Sequence, residues 1–173
     1  MQKTQKQVII ADNMADIYKI LQELDIKYTK YDHEAVFTVE ESKKIETEIF
    51  GTHTKNLFLR NKKGNKHWLV IVEGHARADM NKLRKFLDEN KLSFASPERL
   101  KKYLNLTPGS VTPFGLINDK KHEVIVVIYE DLLEKNDTIN FHPNINTTTL
   151  NLRVKDFKKF LQWSKNEIKY FIT

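Results

Sequence analysis

The chain of 173 residues is 40% hydrophobic and 30% charged, an ordinary globular composition with enough length to bury the core of one domain. No apolar run approaches the ~18 residues of a membrane span and Val8–Ile10 is too short for a secretory core; cysteine is absent, which excludes disulfides and thiolate chemistry and makes the cytoplasm the expected location. The formal charge of +6 and the pI of about 9.3 suit a polyanionic partner such as RNA, though charge alone favours a solvated Lys-rich surface.

Residues 1–11 read as an N-terminal arm. Asp12 or Asn13 can cap a helix over Met14–Leu24, where Ile17, Ile20, Leu21 and Leu24 share one face. Tyr28–His33 reads as a short strand. Thr38-Val-Glu-Glu41 is a capping-box pattern opening a second helix, with Ile45 and Ile49 on its apolar stripe and Gly51 as its stop. A hairpin follows: Lys55–Asn61 and His67–Val72 as strands around the turn Lys62–Asn65. Glu73–Arg77 is a loop, where His75 and Arg77 can close on a ligand. Asp79 caps a helix through Leu83, Phe86 and Leu87. Ser96-Pro97-Glu98 starts another that runs to about Asn105.

All four prolines lie between positions 97 and 143, and two of them, Pro108 and Pro113, fall within Thr107–Gly115. Thr107–Gly115 is therefore expected to be a shaped loop and not helix. Glu123–Ile128 is a buried strand, Tyr129–Leu133 one helical turn, and Thr138–His142 and Thr147–Leu152 are strands joined by Pro143–Asn146. Lys155–Trp163 closes the chain as a helix. Helices and strands alternate without a clean βαβ repeat. The expected fold class is mixed α/β: residues 1–173 as a single domain with a curved, mainly antiparallel mixed sheet flanked by helices.

Nucleophile-elbow, zincin, P-loop and dinucleotide-binding motifs are missing. The six histidines show no close metal-ligand spacing, so neither a metal nor a cofactor is expected. Three segments can carry chemistry. Lys55 and Asn56 stand at the mouth of the hairpin, where a lysine suits a phosphate or an oxyanion or merely blunts a strand edge. Gly109, Ser110, Val111, Thr112 and Pro113 form a loop whose backbone can approach a ligand or simply join two elements. Phe141-His142-Pro143-Asn144 with Thr147–Thr149 places small polar groups at a strand end, with His142 as base or as a structural hydrogen-bonder. Arg60, Lys62, Lys63 and Lys66 make a basic hairpin tip without an acid among them, able to grip phosphates with Trp68 stacking nearby, or only a solvated turn.

In their order and spacing, the three segments resemble the YbaK/ProX superfamily of aminoacyl-tRNA editing domains, over roughly residues 12–163, and within it the free-standing prolyl-tRNA editing branch. The resemblance implies hydrolysis of the ester joining a wrong amino acid to tRNA, here Ala-tRNA(Pro), without metal. It implies that Lys55 binds the terminal phosphate or ribose, Asn56 holds the substrate, and the Gly109–Pro113 loop frames the aminoacyl group. His142 lines the pocket, and a ribose hydroxyl helps to position the water. The implied partners are mischarged tRNA(Pro), through its acceptor end, and prolyl-tRNA synthetase, with no membrane. Phe37, Val39 and Phe114 are candidates for setting the pocket width. The competing readings are a Cys-tRNA(Pro) deacylase of the YbaK type and a non-catalytic tRNA-binding module.

Overall fold

The computed structural model describes residues 16–173; the N-terminal arm, the Asp12 or Asn13 cap and the Val39 side chain lie outside the described residues. The first helix, α1, covers 16–23 and buries Ile17 and Leu21 completely, the face expected from their spacing. After β1 (Tyr28–Asp32) comes α2 (Val39–Glu48). Thr38 caps α2: its side chain accepts from the Glu41 amide while the Glu41 carboxylate accepts from the Thr38 amide. Such caps contribute about 1 kcal/mol.

The hairpin is β2 (Thr52–Asn61) and β3 (His67–Glu73), followed by α3 (Met80–Phe86), β4 (Leu92–Phe94), α4 (Pro97–Leu104) and a 3₁₀ helix, Pro113–Asn118. Then follow β5 (Val124–Tyr129), α5 (Glu130–Glu134), β6 (Thr138–Phe141), β7 (Thr148–Arg153), α6 (Val154–Ser164) and β8 (Ile168–Phe171). The strands form one eight-stranded mixed sheet in the order β1-β7-β6-β2-β3-β5-β8, with β4 also on β2. Antiparallel pairings join β1–β7, β6–β7, β2–β3 and β2–β4, and parallel ones join β2–β6, β3–β5 and β5–β8.

Several boundaries differ from the sequence expectation, each through a contact distant in sequence. β2 begins three residues early because Thr52 and His53 pair with Ile139 and Asn140 of β6. β4 and β8 were not expected; they are short and hold to the sheet through β2 and β5. The end of the Thr107–Gly115 segment is helical after all. Proline fixes the φ that a helix start needs, and the Thr112 side chain accepts from the Phe114 amide to cap the 3₁₀ turn.

The larger core fills one face of the sheet. Phe58, Leu69, Ile71, Val126, Ile128, Ile139, Phe141, Leu150 and Leu152 pack there against α1, α4, the 3₁₀ helix and α6. On the other face the sheet divides. Over β2, β3, β5 and β8 it is apolar, with Leu59, Trp68, Val70, Val72, Val127 and Phe171 buried with Leu83 and Leu87 of the α3 region. Over β1, β7, β6 and the start of β2 the same face carries polar side chains.

Candidate functional site

The free edge of β2, opposite β3, is covered in two pieces. β6 pairs with Thr52 and His53, and β4 with Leu59, Arg60 and Asn61. Among the described residues no strand covers the stretch between them, and Lys55 and Asn56 lie in that break. Alternation along a strand sends neighbouring side chains to opposite faces. Leu57 and Leu59 belong with the smaller core and Phe58 with the larger one. Lys55 therefore shares the polar face with His53, while Asn56 turns toward the larger core. The two residues flank the break from opposite sides and do not project side by side.

On its side Asn56 meets the predicted loop, donating from Nδ2 to the Val111 carbonyl at 3.1 Å. Asn56 Oδ1 is buried without a hydrogen-bond partner. An unmatched buried acceptor costs about 1–3 kcal/mol, so this oxygen is poised to receive a donor. Gly109 has φ +85°, and open space surrounds the place a Cβ would take; glycine serves here for its backbone conformation and leaves room beside the loop. Ser110, Thr112 and Pro113 are buried within the loop and the 3₁₀ start. The Thr112 hydroxyl accepts from the Phe114 amide and so braces the start of the 3₁₀ turn.

On the polar face Lys55 Nζ donates to the Ala76 carbonyl at 3.1 Å, and His75 of the same loop lies 3.3 Å from Glu46 of α2. Three histidines, two of them not singled out from the sequence, gather beyond Lys55. His53 is opposite Asn140 in the β2–β6 register, and its Nε2–H donates to the Ile49 carbonyl at 3.0 Å. His142 Nδ1–H donates to the Thr148 carbonyl at 2.9 Å, which leaves Nε2 as an acceptor when the ring is neutral. The His33 and His142 rings stand edge to face, 6.0 Å between centroids. His33 donates from Nδ1 to the Glu34 carbonyl and takes the Thr149 hydroxyl at Nε2, 2.9 Å away. Burial holds the His142 pKa below its ordinary value; the Thr148 bond opposes this, and the neighbouring His33 and His53 add to it. Nearby, the Thr148 hydroxyl donates to Asp32 at 2.9 Å, the main reason the Asp32 pKa is lowered. His33 and His53 are far apart in sequence from His142, and only the β1–β7–β6–β2 order assembles them. Asn144 occupies the left-handed region, φ +66°, in the buried turn after β6.

Among the described residues no group of three or more His, Cys, Asp or Glu side chains is placed to hold a metal. No described helix is long and apolar enough to cross a membrane. A cavity of about 530 Å³ lined by Tyr18, Gln22, Asp25 and Tyr28 contains none of the predicted residues.

At the hairpin tip Lys62 and Lys63 are exposed. Lys66 is not free of acid: it pairs with Glu89 at 2.9 Å, a partner that comes from the segment after α3. Arg60 donates to the Asn61 and Lys62 carbonyls, and Trp68 is buried in the smaller core, unable to stack on a ligand. Of the proposed width-setting residues, Phe37 is 81% exposed and Phe114 fully buried; Phe114 packs edge to face on Phe141 and Phe160.

The model of the family described as "Aminoacyl-tRNA editing domain" matches residues 33–160. The chain is 42% identical over 149 residues to the prolyl-tRNA editing protein ProX of Acetoanaerobium sticklandii, covering 86% of this chain and 90% of that one. It is 33% identical over 153 residues to the prolyl-tRNA synthetase associated domain-containing protein 1 of Xenopus laevis, covering 87% and 91%. A crystal structure of a candidate trans-editing enzyme for prolyl tRNA synthetase superposes with a TM-score of 0.67 at 17% identity, over 91% of this chain and 95% of that one. The chain belongs to the family of aminoacyl-tRNA editing domains and is an aminoacyl-tRNA deacylase.

Proposed function

We propose that the chain edits in trans, hydrolysing the ester of Ala-tRNA(Pro) without a metal ion. The observation that carries the assignment of the site is the break beside β2, flanked on one face by the Lys55 ammonium and on the other by the unmatched Asn56 Oδ1 and the loop that Asn56 holds at Val111. In this reading the tRNA end enters the break. Lys55 exchanges the Ala76 carbonyl for the terminal phosphate or ribose, and Asn56 Oδ1 accepts a hydrogen bond from the aminoacyl end. Water, positioned with the help of a ribose hydroxyl, attacks the ester carbonyl. The carbon–oxygen bond to the ribose breaks, the ribose oxygen takes a proton, and alanine and tRNA leave. His142, neutral by virtue of its burial, presents Nε2 to the polar side of the site.

The hairpin extends the reading to the RNA body. Six residues of β2, Asn56 to Asn61, separate Lys55 from Lys62, roughly 20 Å of extended chain. That reach and the exposure of Lys62 and Lys63 support reading the hairpin tip as a hold on the acceptor stem. The name of the A. sticklandii relative, 42% identical, points to tRNA(Pro). Preference for alanine follows from sieving: an activating site shaped for proline rejects a smaller side chain weakly, and a second, smaller pocket excludes proline. Incubation with Ala-, Cys- and Pro-tRNA(Pro), each with and without a chelator, tests the reading. Loss of the alanyl ester alone, unchanged by the chelator, is expected. Loss of the cysteinyl ester with alanyl-tRNA intact favours the Cys-tRNA(Pro) alternative, and RNA binding without turnover favours a non-catalytic module.

A further inference from the structure

Phe50 combines two properties that seldom occur together. Its ring is 77% exposed, yet its backbone is among the most firmly held on the polar face. The Phe50 carbonyl accepts from Asn140 Nδ2 at 3.1 Å and from Asn151 Nδ2 at 3.0 Å, and Asn151 also donates to Asn140 Oδ1 at 2.7 Å. The next residue, Gly51, lies so close to the sheet that a Cβ would collide with Asn151, Thr138 and Asn140. Ile49, before it, is buried, and its carbonyl takes the His53 ring. Asparagine side chains of β6 and β7 thus fix the backbone that carries a large exposed apolar ring, three residues before His53, and they do so from the face of the sheet that also carries Lys55.

Leaving a phenylalanine in water forgoes the stabilisation of burying it, and clamping its backbone removes the freedom a surface residue normally keeps. The arrangement suits a flat partner that arrives from outside. Single-stranded RNA ends are held this way, their unpaired bases stacked on aromatic side chains. We propose that Phe50 is a stacking platform for the unpaired 3′-terminal base of the RNA, setting the depth at which the ester enters the break. This rests on the tRNA reading above. Phe50 is a positioning residue: it touches the base and takes no part in bond making.

The test uses the full chain and an uncharged acceptor-stem RNA hairpin whose 3′-terminal base is 2-aminopurine, a fluorophore quenched by stacking. Wild type is expected to quench it, whereas Phe50→Ala loses the quenching and binds about tenfold more weakly; Phe50→Trp restores both. An RNA lacking the terminal nucleotide erases the difference between wild type and Phe50→Ala. In deacylation, Phe50→Ala raises KM more than it lowers kcat. Equal quenching and affinity in wild type and Phe50→Ala overturn the proposal. If wild type deacylates Ala-tRNA(Pro) without quenching the probe, the platform fails and the editing reading stands. If wild type neither binds the RNA nor deacylates, both fail.

Discussion

The Lys55 ammonium rests on a neutral acceptor, the Ala76 carbonyl. A phosphate or carboxylate-like oxygen makes a stronger, charge-assisted bond, so the observed contact is one a substrate can displace. Lys55→Ala is expected to slow deacylation of Ala-tRNA(Pro) about a hundredfold while leaving the thermal unfolding curve in place, since the side chain carries no core packing. Single-turnover kinetics with a parallel melt checks this, and unchanged turnover removes Lys55 from the mechanism. Lys55→Arg restores little, because a guanidinium fork does not reproduce a compact three-donor cation. At this scale the sequence was informative about which residues lie at the break and uninformative about where they point. The Lys55-Asn56 dipeptide reads as a pair, but strand alternation sets the two on opposite faces. His33 and His53 carried no local signal at all, for their significance comes from strands that meet only in the folded sheet.

Among the elements, β3 and α4 meet around His67. The ring is 1% exposed, lies 5.6 Å from the Phe58 ring and 4.1 Å from that of Tyr103, and accepts from Arg99 at 3.0 Å. Arg99 in turn donates to the Gly64 carbonyl and so ties α4 to the hairpin turn. Burial, with the charges of Arg99, Lys102 and Arg60, pushes the His67 pKa down to about 4. The unfolded chain, titrating near the ordinary 6.5, binds the proton that the folded state refuses. Stability from this group is therefore full above pH ~6.5 and is lost as pH falls toward 4, by up to roughly 3 kcal/mol. His67→Gln, which keeps an acceptor for Arg99, is expected to flatten urea-derived stability across that range; an unaltered pH profile contradicts the assignment. Element types were readable wherever apolar spacing and caps agreed, as at Thr38, Asp79 and Ser96. β4 and β8 escaped because strands of three and four residues hold little period of their own and are defined by their partners.

For the molecule as a whole, the net charge of +6 is spread unevenly, and the hairpin tip is one concentration of it. Lys66 is neutralised by Glu89, so Lys62 and Lys63 are the residues of the tip expected to displace counterions from an RNA stem. In a plot of log affinity against log salt, Lys62→Ala/Lys63→Ala is expected to make the slope shallower by roughly 1.5 to 2. Single-turnover cleavage at saturating tRNA stays unchanged. A slope equal to that of wild type moves the RNA path away from the hairpin. The mixed α/β class was legible from the interspersed elements, and the family from three short segments in order. The strand order was not, because β6 joins β2 through two residue pairs that no local pattern announces.

That short parallel seam gives Phe114 a mechanical importance its burial conceals. The residue follows directly on the Gly109–Pro113 loop, and its ring bears on Phe141 of β6 and Phe160 of α6. One ring thus stands between the loop and the strand leading to His142. With only a two-residue seam holding β6 against β2, we propose that the thickness of the packing at position 114 sets the gauge of the opening from behind. A sieve built this way can be retuned over evolution by a buried residue that never touches what passes through it.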